Sequence, residues 1–536
     1  MSQALKIAVA QMNPIMGDFA GNVTQMLDYA TRAHVAGATL IVYPELCLCG
    51  YPPEDLLFRP DFIQAAEAAL TAFTKAMPPI TTIVGHPQAV AGQLFNAASL
   101  VEDNRVVCSY HKQRLPNYQV FDEARYFATG STPCVFTHQG VKIGVLICED
   151  IWFAEPVAAA VAAGAQMLLV PNASPYDFKK LATRYDVVRS RVKEAGVPIL
   201  YAHWSGGQDE LVFDGASFAI NKDGSVGYQE REFTETLGLV EFANSAFKGA
   251  VYSIPNVEAS VYQALVVALR DYVNKNGFPG VLLGLSGGVD SALTLALAVD
   301  ALGADRVHCV MMQSEFTAQI SLDDSREMAV IQGVKYDEIA IAPMFEAFKT
   351  ALAPHFAGRA PDTAEENIQA RVRGTMLMAL SNKFGKIVVT TGNKSEMAVG
   401  YSTLYGDMAG GFAVLKDVAK TLVYRLCHYR NTVSRVIPER VITRPPSAEL
   451  RADQKDQDSL PDYAILDQIV ELFMEQDVSP AAIVAKGFAA ADVTRVTRLI
   501  QINEYKRRQS PVGVKITRRS FGKDWRYPIT SRYKAV

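Results

Sequence analysis

Short apolar runs alternate with helical periods along the chain. Ile7 to Ala10, Leu40 to Tyr43, Thr82 to Val84, Ala97 to Val101, Val141 to Ile147 and Met167 to Val170 read as strands, with a helical pattern around Asn22 to Ala36. Several of these runs stop at a polar residue, where reactive groups commonly project in layered α/β folds. The pattern turns irregular around Phe242 to Pro255, and from Val257 a fresh helical segment leads into Val281 to Leu285. Val307 to Met312 and Ile387 to Thr391 then alternate with helices, which predicts a doubly wound parallel sheet. Two α/β domains are expected, at 1–245 and 257–536, joined by a linker at 246–256. Gly358 to Glu366 and Leu450 to Asp462 read as mobile loops.

Composition narrows the function classes. A chain of 536 residues is too long for one small module, at roughly 100 to 200 residues per domain. With 49% hydrophobic and 20% charged residues it has ample apolar surface to bury, which excludes a largely disordered chain. Lys plus Arg (52) against Asp plus Glu (56) leaves −4, without the positive excess of a dedicated nucleic-acid binder. The uncharged stretch Pro156 to Pro171 is Ala-rich and shorter than the roughly 18 to 20 apolar residues a membrane span requires. The N-terminus does not follow the order of a secretory signal, and seven scattered cysteines fit a reducing compartment. A cytoplasmic protein with no nucleic-acid or membrane partner is expected.

The strongest local signal is Gly284-Leu285-Ser286-Gly287-Gly288-Val289-Asp290-Ser291, between an apolar strand and the helix-forming run Ala292 to Ala298. A Gly-rich turn at a helix N-terminus exposes backbone N–H groups at the positive end of the helix dipole, which makes an anion site. No Lys follows the glycines and the dinucleotide spacing is absent, so this is neither a Walker loop nor a Rossmann fingerprint. SGGVDS resembles the pyrophosphate loop of the ATP pyrophosphatase group, whose members form an adenylate.

Further motifs select among that group. Glu366-Asn367-Ile-Gln-Ala-Arg371, Thr390 to Glu396, Tyr405-Gly406-Asp407, Lys416 to Thr421, Pro446 to Leu450 and Glu504 to Arg508, in that order, resemble an NAD synthetase over residues 257–536. The resemblance implies a Rossmann-like doubly wound sheet of the adenine nucleotide α-hydrolase type. ATP would lie on Gly284 to Ser291 and Thr391, with Mg²⁺ on Asp290 and Glu396. Deamido-NAD⁺ would lie on Asn367, Glu396, Tyr401, Ser402, Thr403, Leu404 and Lys506. Lys420, Asp407 and Ser447 would act where charge develops. The segment Met312 to Gln319 departs from the family pattern.

In the first half, Cys148 ends the strand-like VKIGVLI, Glu45 follows LIVY, and Lys112 follows another strand pattern. A free thiol is mostly protonated near neutrality, so a carboxylate must take its proton and a cation must favour the thiolate. Three such groups at three strand ends resemble the Glu-Lys-Cys triad of the nitrilase superfamily over residues 4–245, which implies an α-β-β-α sandwich. Glu45 would then be the base, Lys112 the oxyanion donor and Cys148 the nucleophile. Glu123 resembles a supporting carboxylate of that superfamily; a loop salt bridge with Arg125 is equally open. Tyr118, Ser174 and Lys180 resemble glutamine-holding positions. Cys47-Leu-Cys49 is too close-spaced and isolated for a zinc site.

An amide hydrolase fused to an adenylating domain resembles the glutamine-dependent NAD synthetases. That resemblance implies glutamine, deamido-NAD⁺ and ATP as substrates, an enclosed ammonia tunnel and a homo-oligomer. Two alternatives stay open at this point: another SGGxDS-loop adenylating enzyme, and a stand-alone carbon-nitrogen hydrolase whose second domain senses nucleotide.

Overall fold

The structure, a computed structural model, describes residues 4–451 and 460–533. Most of the loop expected over Leu450 to Asp462 therefore lies outside the described residues. The chain divides into two compact units, Met1–Gln208 with Val212–Pro255, and Asp209–Leu211 with Asn256–Val536.

The first unit carries strands β1 (Leu5–Gln11), β2 (Leu40–Val42), β3 (Thr81–Val90), β4 (Gln93–Glu102), β5 (Arg105–His111), β6 (Cys134–His138), β7 (Val141–Val145), β8 (Met167–Asn172) and β9 (Ile199–His203). A short hairpin, β10 (Ser205–Gln208) with β11 (Leu211–Asp214), precedes β12 (Phe218–Ile220), β13 (Val226–Gln229), β14 (Thr236–Ala243) and β15 (Ala246–Gly249). They form one sheet ordered β15-β14-β1-β2-β3-β4-β5 and a second ordered β13-β12-β9-β8-β7-β6.

Alternation along β1 shows why the sheets layer. Ile7 and Val9 join Val145, Leu168, Val170 and Leu200 of the other sheet in one core. Ala8 and Ala10, on the opposite face, pack with Met26, Ala30, Ala69 and Phe73 of helices α1 (Phe19–Val35) and α2 (Pro60–Ala76). Helices α3 (Ala154–Ala162) and α4 (Lys180–Ala195) bring Val157, Val188 and Val192 onto the second sheet. This is the expected α-β-β-α sandwich.

The stretch from Phe242 to Pro255 is not irregular throughout. Asn244 and Ser245 both take left-handed φ, 50° and 59°, and turn β14 into β15, which pairs with it from Val240 to Ala243. Residues 246–249, expected in a linker, are thus a strand of the first sheet. The turn carries no glycine, which is why its hairpin is hidden in the sequence.

The second unit holds a parallel sheet ordered β18-β17-β16-β19-β20, built from β16 (Val281–Gly284), β17 (Val307–Gln313), β18 (Lys335–Ala340), β19 (Ile387–Thr390) and β20 (Phe412–Ala413). Its helices include α5 (Val257–Lys275), α6 (Val289–Leu302), α7 (Gln319–Gln332), α8 (Ala342–Phe356), α9 (Thr363–Phe384), α10 (Lys394–Val399) and α11 (Lys420–Val433). Ile368, Val372 and Leu377 of α9 pack with Leu282, Val310 and Val388 of the sheet. The loop expected at Gly358 to Glu366 ends early: Asp362 caps α9 in a box with Glu365, so residues 363–366 are helical. Among the described residues no helix is long and apolar enough to cross a membrane.

One close approach ties this scaffold to the chemistry below. Gly85 of β3 lies against the Pro44-Glu45-Leu46 main chain, where a Cβ would fall 2.4 Å from Leu46 N and 2.6 Å from Pro44 O. Both neighbours are backbone and cannot swing aside. Gly85→Ala should therefore destabilise the first unit by about 1–3 kcal/mol, seen as a lower denaturant midpoint, whereas an unchanged midpoint would show that the segment yields freely.

Candidate active sites

Three loops of the first unit converge at one end of the sandwich. Glu45 lies three residues past β2, Lys112 directly follows β5, and Cys148 opens a 3₁₀ turn after β7. Cys148 sits at φ +43°, a strained elbow for a residue with a Cβ. The Lys112 ammonium donates to Glu45 Oε1 at 2.6 Å and to Glu123 Oε1 at 2.8 Å, and all three side chains are buried. Glu123 also accepts from the Tyr51 hydroxyl at 2.9 Å. The Arg125 bridge left open for Glu123 is not formed: Arg125 pairs with Asp55 at 3.4 Å instead.

Electrostatics assign each group a resting state. Burial would lower the Lys112 pKa, but the charges of Glu123 and Glu45 outweigh it and hold the ammonium well above its ordinary value. Burial and then the Glu45 carboxylate push the Cys148 thiol well up, while Lys112 and an N–H from Ala173 act in the other direction. The balance holds the Cys148 thiol protonated. Asn96 donates to Glu45 Oε1 at 2.8 Å, which leaves the buried Glu45 Oε2 without a hydrogen-bond partner. That oxygen keeps its full capacity to accept a hydrogen bond or a proton.

Tyr118, Ser174 and Lys180 gather around this centre. The Tyr118 hydroxyl donates to both oxygens of Glu149, the residue after the nucleophile, at 3.0 Å. Lys180 opens α4 with its ammonium 4.7 Å from the centre of the Trp152 ring, and burial lowers its pKa. Ser174 is buried, and its carbonyl accepts from Arg184 at 2.8 Å. Burial raises Glu149 to about 7.

In the second unit the anion loop opens on a cavity of about 670 Å³. Gly287 takes φ +78° with its Cα against the Ser321 main chain, so only glycine fits. Ser286 and Ser291 hydroxyls lie 3.1 Å apart, and Ser291 donates to Gly288 O at 2.9 Å, which ties the loop to the first turn of α6. Gly284, Leu285, Ser286, Gly288, Val289, Asp290, Ser291 and Thr391 line the cavity; Gly287 does not, and its carbonyl accepts from Arg444.

The opposite wall is a braced turn. Asn367 of α9 accepts from the Thr403 hydroxyl at 2.7 Å, Asp407 accepts from Thr403 N at 2.6 Å, and Lys506 donates to the carbonyls of Gly400 and Ser402. Tyr401, Ser402, Thr403, Asp407, Ser447 and Lys506 all line the cavity. Leu404 does not; its carbonyl instead holds Arg371. The bracing hydrogen bond gives Asp407 a positioning duty that the sequence reading, which placed it at the charge-developing step, did not contain.

Charge concentrates where the two walls meet. Lys420, at the N-terminus of α11, is ion-paired with Asp290 and lies 3.8 Å from Glu396, and these carboxylates raise its pKa against the lowering effect of burial. Asn393 caps α10, reciprocally with Glu396, and donates to Asp290 Oδ1 at 2.9 Å. The hard carboxylate oxygens of Asp290 and Glu396, at a phosphate-type loop, are a donor set that fits a divalent cation. Tyr51, Asn96 and Asn393 were missed in the sequence. Asn96 alone carried a signal, a polar residue on the inward phase of the strand pattern LFNAASLV.

Comparison with known proteins agrees with this geometry. The carbon-nitrogen hydrolase family matches residues 6–247, and the NAD synthase family matches residues 261–510. The glutamine-dependent NAD(+) synthetase of Acinetobacter baylyi is 48% identical, covering 99% of this chain and 99% of its own. The chain belongs to the glutamine-dependent NAD⁺ synthetases. The enzyme of that name from Xylella fastidiosa is 47% identical over the full length of both chains. The solved glutamine-dependent NAD⁺ synthetase of Acinetobacter baumannii, in complex with ADP, is 45% identical with a TM-score of 0.81 over the whole of both chains. Within these glutamine-dependent NAD⁺ synthetases the hydrolase and synthase halves occur together, which disfavours both alternatives left open above.

Glu45→Gln removes a negative charge that opposes thiolate formation, and Lys112→Met removes a positive one that favours it. Alkylation of Cys148 by iodoacetamide, followed by mass spectrometry against pH, should shift its midpoint down in the first variant and up in the second, by about one unit or more each. Equal or reversed shifts would contradict the assignment.

Proposed function

We propose that this chain converts deamido-NAD⁺ to NAD⁺ with ammonia drawn from glutamine and energy drawn from ATP, releasing glutamate, AMP and pyrophosphate. The observation that carries the reading is a buried thiol under the charges of Glu45 and Lys112, themselves paired at 2.6 Å, and a phosphate-type loop on a large cavity, together in a chain with full-length synthetase relatives.

In the first unit, Cys148 Sγ attacks the amide carbon of glutamine as Glu45 Oε2 takes the thiol proton. Lys112 stabilises the oxyanion, with the Glu149 N–H as a second donor. Glu45 passes the proton to the leaving nitrogen, ammonia departs, and a thioester remains. Glu45 then activates water, and hydrolysis returns the thiol with glutamate. Glu123 and Tyr51 keep the ammonium in place, and Tyr118, Ser174 and Lys180 hold the amino-acid end of glutamine.

In the second unit, the Gly284 to Ser291 loop, with Gly287 shaping its turn, and Thr391 hold ATP; the solved relative from Acinetobacter baumannii is a complex with ADP. Asn367, Glu396, Lys506 and the 401–404 turn hold deamido-NAD⁺, Leu404 through its main chain only. The nicotinate carboxylate attacks the α-phosphorus, pyrophosphate leaves, and ammonia then displaces AMP from the acyl adenylate. Lys420 offsets the negative charge that builds as two anions meet, and Ser447 lines the same cavity. Mg²⁺ on Asp290 and Glu396 would supply further positive charge against the triphosphate. All seven cysteines are free thiols, which supports a cytoplasmic setting.

Cys148→Ala should lower glutamine-supported NAD⁺ formation by about a thousandfold or more. The same protein supplied with ammonium should keep its synthetase rate. Loss of both activities, or of neither, would overturn the division of labour.

A further inference from the structure

The triad's side chains come from loops far apart in sequence, and one residue outside the triad joins two of them. Asp150 is fully buried. Its Oδ1 accepts from the main-chain N–H groups of Gln113 at 3.0 Å and Arg114 at 2.7 Å, the two residues that follow Lys112. Its Oδ2 accepts from the Tyr110 hydroxyl at 2.8 Å, two residues before Lys112, and from Ile147 N at 3.0 Å, immediately before Cys148. Only the Ile147 bond is local to the 3₁₀ turn. The others cross 36 to 40 residues of sequence to the exit of β5.

We infer that Asp150 is a positioning residue for glutamine hydrolysis, a carboxylate clamp that fixes the Lys112 ammonium relative to the Cys148 thiol. Four donors on two oxygens fill the strong sites of one carboxylate, and no neutral side chain of the same shape can accept all four. An Asn there would turn an N–H₂ group toward two donors and leave them unpaired in the interior. The main chains on either side of the triad would then relax independently. The elbow at Cys148 gives that relaxation a direction, because its positive φ is strained and persists only while its surroundings impose it. Asp150 touches neither reacting atom, so it acts through Lys112 and Cys148 and not on the substrate.

The inference rests on Cys148 being the glutaminase nucleophile, and its test separates the two ideas. Full-length Asp150→Asn, Cys148→Ala and wild-type chains are assayed for glutamate release and for ammonium-supported NAD⁺ synthesis. Because misplacement by about 1 Å can cost on the order of a hundredfold in rate, Asp150→Asn should lose kcat for glutamine by about that factor. Its KM for glutamine should change by less than about threefold, since binding is untouched, and ammonium-supported synthesis should persist. A diazoketone analogue of glutamine should alkylate its Cys148 correspondingly more slowly.

An Asp150→Asn enzyme with wild-type kcat and alkylation rate overturns the clamp, as does one whose KM rises in step with the loss, since that marks a collapsed pocket. Glutamate release that survives in Cys148→Ala overturns the nucleophile assignment, and the clamp with it. If Asp150→Asn does not fold, Tyr110→Phe removes one of the four donors and leaves both main chains intact. A fall of about three- to tenfold in kcat with KM held supports the clamp, and an unchanged kcat overturns it.

Discussion

A single ammonium shared by two carboxylates in a buried pocket sets the electrostatics around Cys148 in the first unit. Lys112 stays charged because Glu45 and Glu123 flank it, and the ammonium, Asn96 and Tyr51 pair with every oxygen of the two carboxylates except Glu45 Oε2. Burial, and then the charges of Glu45 and Glu149, make a further negative charge on Cys148 costly, and Lys112 offsets that cost only in part. In the proposed mechanism the thiol is therefore silent until a carbonyl carbon arrives to accept its electrons while Glu45 accepts its proton. Thiolate formation is thereby coupled to substrate binding, which protects a buried cysteine from adventitious alkylation or oxidation.

The second unit uses the same device with opposite emphasis. Lys420 lies between Asp290 and Glu396, again a buried ammonium held charged by two carboxylates. Here the carboxylates line the cavity of the Gly-rich loop, and in the proposed mechanism the ammonium is a reserve of positive charge at the point where a carboxylate must approach a phosphate. The neutral anchors differ accordingly. Asn393 holds Asp290 from the cap of α10, whereas Asn96 holds Glu45 from within a strand.

The sequence revealed the fold through its strand rhythm, because both sheets are buried on two faces and their apolar runs stand out against helical periods. It revealed Glu45, Lys112 and Cys148 because each ends such a run. It missed Tyr51 and Asn96, whose partners lie 72, 51 and 27 residues away, a distance that no local pattern spans. It counted Leu404 with its neighbours because motif membership cannot separate a side chain that lines a cavity from one whose carbonyl serves. It overlooked the Asn244-Ser245 turn because left-handed φ was sought at glycine.

Both units are built around ammonia, as product in one and as reactant in the other, and the central claim is that the same nitrogen passes between them. The direct measurement is NAD⁺ made from ATP, deamido-NAD⁺ and glutamine labelled with ¹⁵N at the amide, in the presence of excess unlabelled ammonium. The account predicts ¹⁵N in the carboxamide of the product, together with one AMP and one pyrophosphate for each NAD⁺. Glutamate release with no label in NAD⁺ would contradict it.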